Sequence, residues 1–187
     1  MSLDELIMRL GRSISEFCKK KCSLLQEDVH EDNLSVELRD YLKQEFNDWP
    51  YSISFNHDKR VLNNAYVKKH TYFFRDELPK SIRDRYADIE DPLVMKEILP
   101  DIIFHDENSS KHNFLIIEIK KTTNKDFESR LMDRLKLEAA TSCDLNYEFG
   151  AFLDFKTGKD YEANNPYLVK LFINGVSVFT NYGENGN

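Results

Sequence analysis

The stretch that decides the fold is Phe114-Leu115-Ile116-Ile117-Glu118-Ile119-Lys120-Lys121. Its β-branched and aromatic residues, bounded by polar loop residues, predict a buried strand. An acid set into such a run is costly unless a partner neutralises it. Strand side chains alternate between faces, so Lys120 projects from the same face as Glu118, while Lys121 points the other way and is expected to be exposed. Upstream, Ile98-Leu99-Pro100-Asp101-Ile102-Ile103-Phe104 is a second short apolar run, again with an acid set into it. The polar segment from Asp106 to Asn113 reads as a turn between them, which predicts an antiparallel hairpin. Two carboxylates and an ammonium would then surround one point, the equipment for metal-assisted hydrolysis of a phosphodiester.

The flanking sequence supplies the rest of an α/β pattern. After Lys121 the spacing predicts a helix over 126–141, with Phe127, Leu131, Leu135 and Ala139 as its apolar stripe and Arg130, Arg134 and Glu138 on a neighbouring face. Strands are expected over 147–155 and 167–173. The tight turn Asn174-Gly175 then leads to a short strand from Val176, and residues 181–187 are expected to fray. On the N-terminal side, Leu3, Ile7, Leu10, Ile14, Phe17 and Leu24 predict an amphipathic helix over 3–25. A second helix is expected over 34–47, capped by Asn33 or Ser35, with Leu34, Leu38, Tyr41, Leu42 and Phe46 buried. Trp49-Pro50 ends it, and residues 51–55 alternate as a first strand.

Residues 57–96 are charged and aromatic, with short helices expected around 79–86 and 92–97. They read as an insertion, either a substrate-facing lid or extra packing on the core. The resulting expectation is one domain over 1–187, built on a mixed central β-sheet flanked by helices. Residues 1–30 form a helical extension, 34–56 and 97–180 the core, and 57–96 the insertion.

Composition narrows the class. The chain has 187 residues, 41% hydrophobic and 32% charged, so it is neither disordered nor membrane-embedded. No apolar stretch reaches the length of a membrane span, and the acidic start Met1-Ser2-Leu3-Asp4-Glu5 lacks a signal-peptide core, so a cytoplasmic location is expected. The net charge of −7 counts against non-specific coating of nucleic acid, but not against a nuclease that brings metal charge into its site. Cys18 and Cys22 lie four apart without a second ligand pair; His30 is the nearest candidate and Cys143 stands alone. Buried or half-buried helix cysteines are expected rather than zinc ligands. The run Lys19-Lys20-Lys21 reads as a solvated face, and His57, His70, His105 and His112 as surface or loop residues.

Pro100-Asp101, followed after sixteen residues by Glu118-Ile119-Lys120, resembles the signature of the PD-(D/E)XK nuclease superfamily. The resemblance implies a restriction-endonuclease-like core and a magnesium-dependent nuclease, with manganese as a substitute and DNA as the expected substrate. It implies Asp101 and Glu118 as metal ligands, Ile119 as a carbonyl ligand and Lys120 as the group serving the nucleophile. Family members often add a glutamate from the helix before the first core strand. Glu37 fits by position and helical face, with Glu45 a less favourable alternative farther along. A polar or basic residue on the helix after the lysine strand is also common, which points to Arg134 and Lys136 as substrate-binding residues. A nuclease this small is expected to draw on a homodimer or a partner protein for substrate capture.

Other readings of the same residues stand beside this one. Asp101 is also what a strand-start acid satisfied by backbone donors looks like. Glu118 and Lys120 also fit an edge strand that turns both to solvent. At the level of function, the alternatives are a non-catalytic binding module on the same fold and a metal-dependent enzyme acting on another phosphate ester.

Overall fold

The computed structural model describes residues 1–57, 59–62, 65–107, 112–142 and 145–182. Cys143 lies outside the described residues.

Three helices open the chain: α1 (Leu3–Lys20), α2 (Cys22–Gln26) and α3 (Glu31–Glu45). Helix α1 begins where the Ser2 side chain accepts from the Glu5 N–H at 3.2 Å, with acids in its first turn and lysines in its last. Leu6, Leu10, Ile14 and Phe17 form its buried stripe. The single helix expected over 3–25 is interrupted, because Lys21 leaves helical geometry at φ −118° and ψ 28°. The new direction lets α2 bury Leu25 completely. The lysine run is tied down at the break by Lys20 on Glu16 and Lys21 on Glu37, both at 2.8 Å.

Helix α3 starts three residues before the expected Leu34, capped by His30, whose Nδ1 accepts from the Asp32 N–H at 3.3 Å, rather than by Asn33 or Ser35. Glu31 and Asp32 thereby occupy the first turn, where the helix dipole favours carboxylates.

Among the described residues ten strands follow: β1 (Ser52–Phe55), β2 (Lys59–Leu62), β3 (Ala65–Lys68), β4 (His70–Phe74), β5 (Leu93–Glu97), β6 (Ile102–His105), β7 (Asn113–Lys121), β8 (Phe149–Phe155), β9 (Tyr167–Ile173) and β10 (Val176–Tyr182). Helix α4 (Lys80–Arg83) lies between β4 and β5, and helix α5 (Phe127–Ser142) between β7 and β8. The main sheet has six strands in the order β1-β6-β7-β8-β9-β10. Strands β7 and β8 are parallel, joined by the α5 crossover, and every other pairing is antiparallel. The protein is thus an α/β fold with a mixed sheet flanked by helices.

Residues alternate between two cores. Ile102, Phe104, Leu115, Ile117, Ile119, Leu153 and Phe155 face α1 and α3. Ile103, Ile116, Phe152 and Phe172 face α5. Because both faces of β7 are covered, it is buried from Asn113 to Lys120 and apolar from Phe114 to Ile117.

Two expectations need correction here. Residues 92–97 are not helical: β5 pairs with β4 in the register Tyr72↔Met95 and Phe73↔Val94, which buries Val94 on the α5 side while Met95 stays exposed. The α5 stripe holds at Leu135, with Leu131 and Ala139 partly buried against the same core, but it is wider than expected and does not include Phe127. Asp133, Leu137, Ala140 and Thr141 are buried with Met132 and Leu135, whereas Phe127 is 74% exposed. Within the 57–96 segment, Phe73, Leu78 and Val94 pack into the α5-side core.

Candidate functional site

Strand β7 lies between β6 and β8, so the edge-strand reading of Glu118 and Lys120 does not hold; they are 1% and 8% exposed. Both point to the α5 side, in register with Phe152 and Asp154 of β8. Asp101 sits just before β6. Its Oδ2 accepts from the Ile119 N–H at 2.6 Å, which places the first acid of the motif against the backbone between the second acid and the lysine. Asp101 therefore does take a backbone donor, and it also feels Lys120, Lys136 and Asp133.

Two groups on α5 complete the cluster. Lys136 Nζ lies 3.3 Å from Glu118 Oε2 and 2.6 Å from Asp133 Oδ1. Asp133 Oδ2 in turn lies 2.7 Å from Lys120 Nζ, an ion pair without hydrogen-bond alignment. From the other direction, Glu31 at the start of α3 accepts from Lys120 Nζ at 3.1 Å, from the Lys121 N–H at 3.2 Å and from Asn124 Nδ2 at 3.1 Å. Asp101, Glu118, Asp133 and Glu31 thus face Lys120 and Lys136, leaving an excess of two negative charges when all are ionised.

Electrostatics mark the two motif acids as the strained members. Burial raises the Asp101 carboxyl to about 6, against the pull of the Ile119 N–H and the two lysines. Burial likewise pushes Glu118 well above the usual carboxylate range, with Lys136 opposing and Asp133 and Asp101 reinforcing the shift. For both lysines burial alone would lower the pKa, yet their carboxylate neighbours outweigh it and hold the ammonium forms. Glu118 Oε1 is buried and has no hydrogen-bond partner. An orphaned carboxylate oxygen beside a second desolvated carboxylate is a donor set that suits a hard divalent cation, which favours oxygen ligands and takes only one or two carboxylates when it is magnesium. Among the described residues, no group of three or more His, Cys, Asp or Glu is placed to hold a metal ion.

The remaining predicted residues fall as follows. Glu37 is paired with Lys21 at 2.8 Å, and the α3 acid that reaches the cluster is Glu31. Glu45 lies 3.3 Å from Arg12. Arg134 is half exposed and 3.9 Å from Glu138, away from the ion pairs just described, whereas Lys136 is inside them. Ile119 meets Asp101 through its N–H, and it pairs with Leu153 across the sheet. Lys121 is not exposed: its Nζ lies 3.0 Å from Asp28 Oδ1 on the α2–α3 connection. His105 is buried in β6 rather than at the surface. Cys18 is buried and Cys22 partly so, both as free thiols.

Sequence reasoning missed Asp133, whose signal was its place three residues before Lys136 on the buried side of α5. It also missed Asp154, next to Lys120 in the sheet and held by Arg130. A separate open cleft of about 530 Å³ between α3 and β1 is lined by Arg39, Lys43, Trp49 and Tyr51 and shares no lining residue with the cluster.

No known family profile matches this chain, and no curated protein or solved structure shows significant similarity to it. Among the described residues, no helix is long and apolar enough to cross a membrane.

Proposed function

We propose that the protein is a divalent-metal-dependent nuclease of the PD-(D/E)XK kind, hydrolysing phosphodiester bonds, with DNA as the substrate class and the cytoplasm as its location. The observation that carries this reading is the buried Glu118 on a central strand, one oxygen without a partner, beside Asp101 and two residues before Lys120. Asp133 Oδ2 and Asp154 Oδ1 are likewise without a hydrogen-bond partner, so what sets Glu118 apart is its place beside Asp101 and Lys120 on the central strand.

Asp101 and Glu118 would hold magnesium or manganese, with the Ile119 carbonyl as the further ligand that the family resemblance suggests. When bound, the ion supplies Lewis acidity, polarising the scissile phosphate and making water a stronger acid. The protein's own groups supply the rest. The Ile119 N–H fixes Asp101, so one carboxylate oxygen is committed to the backbone and the other is left for a ligand. Lys120 brings an ammonium held charged by Asp133 and Glu31, suited to steady a developing hydroxide and the added negative charge on phosphorus. Burial of the cluster lowers the local dielectric and strengthens each of these interactions. With a net charge of −7, capture of a nucleic acid relies on local cations, a second copy or a partner protein.

A second reading, a non-catalytic binding module on the same fold, is favoured by the closure of Lys120 between two carboxylates, which leaves its charge neutralised inside the protein. Cleavage assays on linear duplex, single-stranded, supercoiled and junction DNA and on RNA, with magnesium, manganese or chelator, separate the two. The nuclease reading expects metal-dependent cutting that disappears in Lys120→Ala and Glu118→Gln. A folded wild-type protein that cuts nothing in any metal supports the binding module.

A further inference from the structure

The two lysines of the cluster are held differently. Lys120 is clamped between acids from two helices, Glu31 of α3 and Asp133 of α5. Lys136 spans one acid of its own helix and one acid of the sheet. Its contact to Asp133 Oδ1, at 2.6 Å, is much shorter than its contact to Glu118 Oε2, at 3.3 Å. Its side chain retains 19% exposure, whereas that of Glu118 has 2%. Lys136 is therefore the group that neutralises Glu118, and it can leave Glu118 toward solvent without losing its other carboxylate.

We infer that Lys136 is a built-in counter-ion for Glu118 that a divalent cation displaces, with Asp133 keeping the displaced ammonium. The inference rests on the metal-site reading above and goes beyond it, because it gives Lys136 the task of setting metal affinity rather than of binding substrate. Two cations cannot share one buried carboxylate at short range without strong repulsion. A metal ion taking the free Oε1 of Glu118 would therefore repel the ammonium on Oε2 and favour its retreat to Asp133. Leaving Glu118 buried with neither cation is worse than either alternative. Lys136 thus holds the metal-free fold together and weakens metal binding by the same interaction, as linkage requires.

The test is calorimetric titration of Mn2+ into the metal-free full chain as wild type, Lys136→Met, Lys136→Arg and Glu118→Gln. Lys136→Met is expected to bind Mn2+ about tenfold more tightly than wild type, the order of effect for removing a close competing charge. Lys136→Arg keeps the charge and should stay near wild type. Melting in chelator is expected to show Lys136→Met below wild type, with the gap closing in saturating Mn2+. Should Lys136→Met not fold, acylation of the wild-type lysines read by mass spectrometry answers the same question. Labelling of Lys136, but not of Lys120, should rise several-fold when Mn2+ is added. Equal Mn2+ affinity in folded wild type and Lys136→Met, or metal-independent labelling of Lys136, overturns the inference while leaving the metal site standing if Glu118→Gln abolishes binding. Absence of Mn2+ binding in wild type, or binding that survives Glu118→Gln, overturns the metal-site reading and the inference together.

Discussion

Replacing a motif acid should make the metal-free protein more stable, and Asp101→Asn is the sharpest case. Asp101 has an ordinary pKa of 3.8 and a folded value raised to about 6, chiefly by burial. Between those values the unfolded chain has given up its proton while the folded protein still binds one. Stability therefore falls as pH rises from about 4 to about 6 and is flat above, where both states are ionised. A difference of about two pH units corresponds to roughly 3 kcal/mol of penalty carried at neutral pH. Asparagine is close in shape, has no charge to desolvate, and its amide oxygen can still accept from the Ile119 N–H.

In chelator at pH 8, Asp101→Asn is expected to exceed wild type by about 3 kcal/mol in urea unfolding, or roughly 6–12 °C in melting temperature for a chain of this size. The gap should shrink toward zero as pH falls below about 4. Glu118 remains in both proteins, and because Asp101 reinforces its upward shift, losing that charge adds to the variant's advantage. Saturating magnesium should narrow the gap at pH 8, because a ligand that prefers the ionised site stabilises wild type alone. A variant no more stable than wild type at pH 8, or one whose advantage does not change with pH, refutes the assignment of Asp101 as a half-buried carboxylate whose desolvation raises its pKa.

Other substitutions test other parts of the structure. Asp133→Ala removes the carboxylate shared by both lysines and should cost about 3–5 kcal/mol in chemical denaturation; a loss under about 1 kcal/mol contradicts the shared-anchor geometry. Lys120→Met should lower the rate of metal-dependent cleavage by about a hundredfold or more at saturating metal, measured on whichever substrate the wild type cuts best. Leu137→Ala should cost about 2–5 kcal/mol, whereas Phe127→Ser should change stability by less than about 0.5 kcal/mol, and comparable losses from the two would restore the stripe expected from sequence. Gly158→Ala places a Cβ 3.2 Å from the Asp28 Cβ at a backbone φ of +53°. It should destabilise by about 1 kcal/mol or more in the same assay, and a neutral result removes that turn from the account.

The central strands, the hairpin and the helical crossover were legible because β6 and β7 are covered on both faces and carry short apolar runs, 102–104 and 114–117. An acid inside such a run stands out, which is why Asp101, Glu118 and Lys120 could be named from spacing. Charged residues on helices carry no such contrast. Asp133 reads as an ordinary helix acid until packing shows it buried, and Phe127, which opened the expected stripe, is exposed while Leu131, Leu135 and Ala139 pack on the core. Glu31 was hidden by a boundary. Histidine is not a favoured cap, so the helix is expected from Leu34, three residues after the start of α3. Strand β5 was illegible for a different reason: a two-stranded ribbon buries one side only, and five residues hold too little alternation to distinguish strand from helix.

The placement of these ion pairs gives a structural role to helices α1 to α3, which add no strand to the sheet. The last two residues of β7, Lys120 and Lys121, point to opposite faces, and each is gripped by a different part of the N-terminal segment. Asp28, at a positive φ of 55°, takes Lys121 at 3.0 Å while its Oδ1 accepts from Thr123 at 2.8 Å and Thr157 at 2.7 Å. Glu31, three residues on, takes the Lys121 N–H and Lys120. A strand end is where a sheet frays first, and here it carries the residue proposed for the chemistry. Catalytic geometry tolerates little looseness, so a lysine at a strand end needs support from outside its own sheet. The α1 residues Leu6, Leu10, Ile14 and Phe17, at most 1% exposed, anchor that support in the core rather than leaving it as a flexible arm. Residues 1–30 are therefore the structural half of the site: their apolar stripe fixes α2 and the start of α3, and that fixed turn aims Asp28 and Glu31 at the end of β7.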